Sequence, residues 1–230
     1  MSDSNQQPHR NSRKVDITIH TVSVKSDSPS ILSFMKDIPN IMTLAGLCCG
    51  VLGIYFALLG NFQMAVVAML WAVLFDWYDG VVARRISGRS DDSKTFGSNM
   101  DTLVDLITMG VCPAIILLSY GGFSLWFFPG ALIIIASGVV RFSYFNIFGV
   151  DDDGTIKGLS NDIIALVVAL VFVLEGVLSY NAFIVLLYSL MVILSFLHVA
   201  PFRMHKMVGR WYHVTTTYVL VMTVVYVFIL

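Results

Sequence analysis

The stretch FDWYDGVVARR (75–85) closes a long apolar run with two aspartates three residues apart, a glycine, and two arginines. The residues leading into it, 62–75, carry no charge. A carboxylate at mid-membrane costs roughly 2.5–3.5 kcal/mol on insertion scales. Charges at the end of such a run therefore mark where a hydrophobic helix meets a polar surface, and they ask for a positive partner.

Working outward, the whole chain has the composition of a membrane protein. Of 230 residues, 57% are hydrophobic and 13% charged, with mean hydropathy +0.81, which excludes a soluble globular domain. Apolar runs of about 20 residues, the length that crosses roughly 30 Å of hydrocarbon, fall at 40–59, 62–83, 101–120, 124–148, 161–178, 181–199 and 211–230. The fold class expected is an all-α polytopic membrane bundle of six to seven transmembrane helices. All 14 Lys and Arg lie in residues 1–39, 84–96, 141–160 or 200–210. By the positive-inside rule these segments face the cytoplasm and the connections at 60–61, 120–124 and 178–181 face outward.

Residues 1–28 are polar, contain Arg10, Arg13, Lys14 and Lys25, and read as a disordered cytoplasmic tail without a secretory signal. Within it, VDITIHTVSV alternates enough to pair as a strand if an edge were offered. Residues 29–38 (PSILSFMKDI) place apolar side chains at helical spacing behind Pro29 and predict an interfacial amphipathic helix, and 39–230 is expected to form one transmembrane domain. Cys48, Cys49 and Cys112 lie in apolar segments and read as small hydrophobes. Glu175, His198, His205 and His213 read as interfacial or structural, and DDDG (151–154) as a solvated loop.

On a helix, residues at i, i+3 and i+4 share a face. Asp76, Asp79, Gly80 and Ala83 make one stripe at the end of the second span, and Gly97, Asp101 and Asp105 another at the start of the third. The four carboxylates converge, and the small residues let a backbone or ligand approach. Oxygen ligands alone, in this number, suit one or two Mg2+ or Mn2+ ions rather than Zn2+. Such ions beside Arg84 and Arg85 would attract a phosphate or diphosphate. A divalent-cation transporter is the competing class. It would carry its ligands near mid-membrane with a path to the far side, whereas these aspartates cluster at one face and are flanked by arginines.

Taken together, D76-W-Y-D79-G80-V-V-A83-R84 and G97-S-N-M-D101-T-L-V-D105 resemble the motif of the CDP-alcohol phosphatidyltransferase family, D-x-x-D-G-x-x-A-R followed by G-x-x-x-D-x-x-x-D. The 12 residues between Arg84 and Gly97 are more than the family usually has, and SGRSDDSK (87–94) looks like a small loop insertion. The resemblance implies a dimeric membrane bundle that moves a phosphatidyl group from a CDP-linked lipid to an alcohol and releases CMP. It implies metal binding by Asp76, Asp79 and Asp101, a general base in Asp105 beside the same ions, and a CDP and phosphate pocket at Gly80, Ala83, Arg84 and Gly97.

Further stretches are similar to the phosphatidylserine synthase branch: PNIMTLAGLCCGVLGI (39–54), MDTLVDLITMGVCPA (100–114), RFSYFN (141–146, with Tyr144 where the branch has arginine) and KGLSND (157–162, with Ser160 for proline). This makes serine the favoured acceptor and Arg141, Asn146 and Lys157 its expected contacts, with Arg141 gripping the carboxylate. Arg141 equally fits a role offsetting an aspartate or binding lipid phosphate. Inositol, inositol phosphate, glycerol phosphate and choline remain as other acceptors for the same chemistry.

Overall fold

A computed structural model describes residues 29–229, and the expectations placed on residues 1–28 lie outside them. The chain runs from 3-10 turns at Ile31–Lys36 into α1 (Ile38–Leu58), α2 (Phe62–Arg85), α3 (Asp91–Tyr120), α4 (Phe128–Phe148), β1 (Thr155–Lys157), α5 (Asp162–Phe172), α6 (Tyr180–His198), β2 (Arg203–His205) and α7 (Arg210–Phe228). Six of these helices, all but α5, are long and apolar enough to cross a membrane. This is a multi-pass integral membrane protein.

Local chemistry sets the helix ends. Asn61 accepts from the Met64 amide at 3.1 Å to start α2, and Ser179 accepts from Ala182 to start α6. Pro39 and Pro129 sit in the first turns of α1 and α4, where a missing N–H costs nothing. The expected loop insertion at 87–94 is loop only to Ser90, and its second half is already helix. Ser90 caps α3 by accepting from the Ser93 amide at 3.1 Å, with Asp91 and Asp92 in the first turn, where the helix dipole favours acids. Midway along the same helix, Leu106–Val111 widens into a π-helical stretch directly after Asp105.

The predicted span 161–178 is also shortened. Its helix stops at Phe172, and 173–177 tighten into i to i+3 turns through bonds such as Leu174 N–H to Val171 O at 2.9 Å. Val173, Gly176 and Val177 are weaker residues for continuing a helix, Gly176 most of all. The short α5 still runs between the two ends of the bundle. Asp162 accepts from Trp77 late in α2, while Phe172 meets Phe62, Tyr120 and Phe183 at the start of α2, the end of α3 and the start of α6.

The core is apolar, built on Met69, Leu70, Ile116, Leu117, Leu187 and Met191, while Val51, Leu58, Ile193 and Val224 face outward as a hydrocarbon-facing surface would. Hydroxyls tie α7 inward: Tyr78 with Thr216, Trp71 to Thr223, Tyr218 to Leu166 O and Tyr226 to Ala169 O. β1 and β2 pair antiparallel, with Ile156 opposite Met204. Arg203 of β2 ties this strand pair to the loop before β1, reaching Asp153 at 3.4 Å. The acids of DDDG are thus partly engaged rather than simply solvated.

Glycines on α1 bring its backbone against the π-helical stretch. A Cβ on Gly50 would lie 2.4 Å from Thr108 Cγ2, and one on Gly53 would lie 2.9 Å from Cys112 Sγ. Gly50→Val is therefore expected to overpack this contact, costing about 1–3 kcal/mol. It should lower the thermal midpoint of the detergent-solubilised protein, with no comparable drop for Gly60→Ala at the open α1–α2 turn beyond the strain of its positive φ.

Candidate active site

Helix α2 delivers Asp76 and Asp79, and α3 delivers Asp101 and Asp105, to one end of the bundle. One carboxylate oxygen from each of Asp76, Asp101 and Asp105 lies within 4.8 Å of the others. Asp79 is 5% exposed and sits at the same cluster, where the Thr43 hydroxyl of α1 donates to its Oδ2 at 2.5 Å. Oδ1 of Asp101 and Oδ1 of Asp105 are buried without a hydrogen-bond partner among the described residues. Buried anionic oxygens that point at one another and lack donors fit a divalent cation, since oxygen-only donors in a tight group are what Mg2+ and Mn2+ require.

The cluster forms the floor of a cavity of about 240 Å³. Of the residues singled out in the sequence, Asp76, Asp79, Gly80, Arg84, Asp101, Asp105, Arg141 and Asn146 line it. The Arg84 guanidinium lies over Gly80, where a Cβ would come within 3.3 Å of it, and donates to the Tyr212 hydroxyl at 2.8 Å. Arg141 is 6% exposed. Its Nε donates to Leu159 O at 3.2 Å, its guanidinium lies 5.6 Å from the Phe145 ring centre, and it makes no ion pair among the described residues. Asn146 accepts from Thr102 at 3.1 Å, joining α4 to α3 at the cavity rim.

Three other predicted residues are placed away from the cavity wall. Ala83 is not among the lining residues. Gly97 makes room for Asn40 and Arg89, whose atoms would lie 2.8 and 3.1 Å from a Cβ there, so its small size serves the approach of α1 to α3. Lys157 projects from β1 over the Tyr144 ring at 5.5 Å. The hydrogen bond and charge of that phenol raise its ammonium pKa.

The structure adds cavity residues that the motif spacing did not indicate. Lys206, just past β2, lies 5.3 Å from the Phe145 ring centre and faces the pocket that holds Asp101. Ser160, Asn161 and Asp162 enter from the start of α5, and Tyr212 from α7. His198, read as interfacial or structural, is 2% exposed, and neither ring nitrogen has a side-chain or backbone hydrogen-bond partner of good geometry among the described residues. A second shell braces α1 against α3: Arg89 pairs with Asp37 at 2.6 Å, and Phe34 stacks on Phe96 at 4.4 Å.

The model of the CDP-alcohol phosphatidyltransferase family matches residues 36–192, which contain all four aspartates. The chain belongs to this family. Among curated relatives, it is 39% identical over 119 residues to archaetidylserine synthase of Methanothermobacter thermautotrophicus, covering 51% of this chain and 49% of that protein. It is 33% identical over 115 residues to CDP-diacylglycerol–serine O-phosphatidyltransferase of Bacillus subtilis, covering 49% and 63%. The Helicobacter pylori protein of the same name is 30% identical over 111 residues, covering 47% and 45%. The chain thus spans about half to three-fifths of the length of these relatives.

Mn2+ titration followed by electron paramagnetic resonance should reveal a bound ion in the wild type and its loss in Asp101→Asn. Thr43→Val, which removes only the donor to Asp79, should weaken binding by about tenfold, the low end of what outer-shell partners contribute.

Proposed function

We propose that the chain transfers the phosphatidyl group of CDP-diacylglycerol to L-serine, giving phosphatidylserine and CMP, with Mg2+ or Mn2+ held by Asp76, Asp79 and Asp101 and with Asp105 beside the ion as general base. The observation that carries this reading is the convergence of three carboxylates within 4.8 Å in a cavity whose other walls present Arg84, Arg141 and Lys206. Acids that gather a cation, ringed by cations held on neutral partners, suit a diphosphate. The names of the relatives support serine as acceptor.

In this reading Arg84 and Lys206 orient the diphosphate over the acid cluster, and the lipid chains stay among the apolar helix surfaces. A bound divalent ion supplies charge neutralisation for the diphosphate and for the departing CMP. Asp105 accepts the proton of the serine hydroxyl. The hydroxyl oxygen forms a bond to the phosphatidyl phosphorus as the bond from that phosphorus to the CMP oxygen breaks, and CMP leaves with the electron pair. Arg141 holds the serine carboxylate as a fork. Arginines and lysines gathered at the site end support a cytoplasmic-facing active site, and the family resemblance supports a homodimer.

The direct test is CMP release by purified protein given CDP-diacylglycerol, Mn2+ or Mg2+, and one acceptor per reaction. Release that depends on serine is expected. Release only with inositol, inositol phosphate, glycerol phosphate or choline would discard serine and the role of Arg141 while leaving the metal cluster as argued.

Role assignment within the cluster is tested separately. Asp105→Asn is expected to retain Mn2+ and CDP-lipid binding while losing turnover by at least about 100-fold, the lower range for removing a general base. Asp79→Asn should lose ion binding and turnover together. Equal binding losses in the two variants would refute Asp105 as the base.

A further inference from the structure

The cavity contains a fifth carboxylate that the metal cluster does not use. Asp162, the first residue of α5, is 7% exposed and lines the cavity beside Arg141. Its Oδ2 accepts from Trp77 Nε1 at 2.9 Å, whereas its Oδ1 is buried without a hydrogen-bond partner of good geometry among the described residues. It stands outside the group of acids whose oxygens gather within 4.8 Å. A buried carboxylate oxygen left open is destabilising until a donor or cation reaches it.

The Ser160 hydroxyl and the amides of Asp162 and Ile163 lie near this carboxylate without a hydrogen bond of good geometry to Oδ1, and the cation beside it does not pair with it either. Arg141 is equally buried and makes no ion pair with Asp162 among the described residues, because Leu159 O and the Phe145 ring hold its guanidinium. One buried anion and one buried cation therefore line the same cavity unpaired, both outside the three-acid group. A ligand carrying both charges on adjacent groups complements them.

We propose that Asp162 and Arg141 form a zwitterion subsite, Asp162 receiving the ammonium and Arg141 the carboxylate of an amino-acid acceptor, so that Asp162 selects acceptors by their amine. The proposal rests on the serine-transfer reading and adds to it the group that tells serine from hydroxy acids. Trp77 follows Asp76 directly on α2, so its bond to Asp162 Oδ2 ties the ammonium site to the metal site.

The test compares serine with 3-hydroxypropionate, which keeps the hydroxyl and carboxylate and lacks the amine. Wild type is expected to favour serine by roughly 100-fold or more in kcat/KM, as polar sites do against analogues missing a bonded group. Asp162→Asn keeps an oxygen for Trp77. It is expected to raise KM for serine roughly 10- to 100-fold, the loss of one charge-assisted bond, and to shrink the preference by the same factor, with KM for CDP-diacylglycerol unchanged. Trp77→Phe, which removes the indole donor and keeps the charge, should retain most of the preference. A serine KM unmoved in Asp162→Asn overturns the subsite while leaving serine transfer standing. Equal loss with both acceptors, or loss of preference in Trp77→Phe as complete as in Asp162→Asn, also overturns it by assigning Asp162 a structural role. Wild type that releases no CMP with serine overturns the reading on which the subsite depends.

Discussion

Mutual repulsion among carboxylates at one end of a membrane bundle is the constraint that the rest of this structure answers. Two like unit charges 4 Å apart repel by about 1 kcal/mol in bulk water and about 4 kcal/mol at the effective dielectric of a protein site. Three acids with oxygens inside 4.8 Å, and Asp79 beside them, would spread apart on any flexible element. They are instead carried on α2 and α3, two of the longest helices, and α1 is packed against both as a brace. Thr43 of α1 holds Asp79, Gly50 lets α1 press on the turn after Asp105, and the Asp37–Arg89 pair with the Phe34–Phe96 stack pins the start of α1 to the start of α3. Rigidity supplied by α1 is thus a requirement of the charges on its neighbours.

The cations around the cavity follow the same logic. Had Arg84, Arg141 or Lys206 formed tight ion pairs with the aspartates, the acids would be quenched and neither sign would remain for a ligand. Their partners are neutral: the Tyr212 hydroxyl for Arg84, and Leu159 O and the Phe145 ring for Arg141. The same ring also receives Lys206. Aromatic faces and carbonyls hold a cation in place without cancelling its charge. The β1–β2 pairing contributes by bringing the segment with Lys206 next to the segment that begins α5, so residues 40 or more apart in sequence meet at one wall.

What was readable in advance divides along this line between local and distant placement. The aspartate stripes follow from helical spacing alone, since i, i+3 and i+4 on two consecutive helices leave little freedom. The apolar runs likewise marked each crossing. Asp162 and Lys206 were not legible because the long-range β1–β2 pairing and the Trp77 contact, not periodicity, carry them to the site. The π-helical stretch at Leu106–Val111 has no compositional mark, and its effect is seen only in the fit of Thr108 against Gly50. The start of α3 at Asp91 has a local signal, since Ser90 followed by Asp91 and Asp92 is a capping sequence, but it lies in a polar stretch that apolar periodicity does not mark.

The opposite end of the bundle bears on what the acid cluster is for. Phe62, Tyr120, Phe172 and Phe183 meet there with ring centres 4.8–6.2 Å apart, and Tyr180 stacks on Tyr120 while its hydroxyl donates to Tyr120 O at 3.0 Å. Tyr120, Phe172 and Phe183 are at most 8% exposed. A cation path would need oxygens or water continuing from Asp105 toward that end, yet the helix turns past it lead into Met109, Cys112, Ile116 and Leu117, all buried and apolar. A cation entering the cluster from the cavity would meet hydrocarbon beyond it. Closed on one side and open on the other, the cluster offers an ion a site reached from the cavity and no path past it.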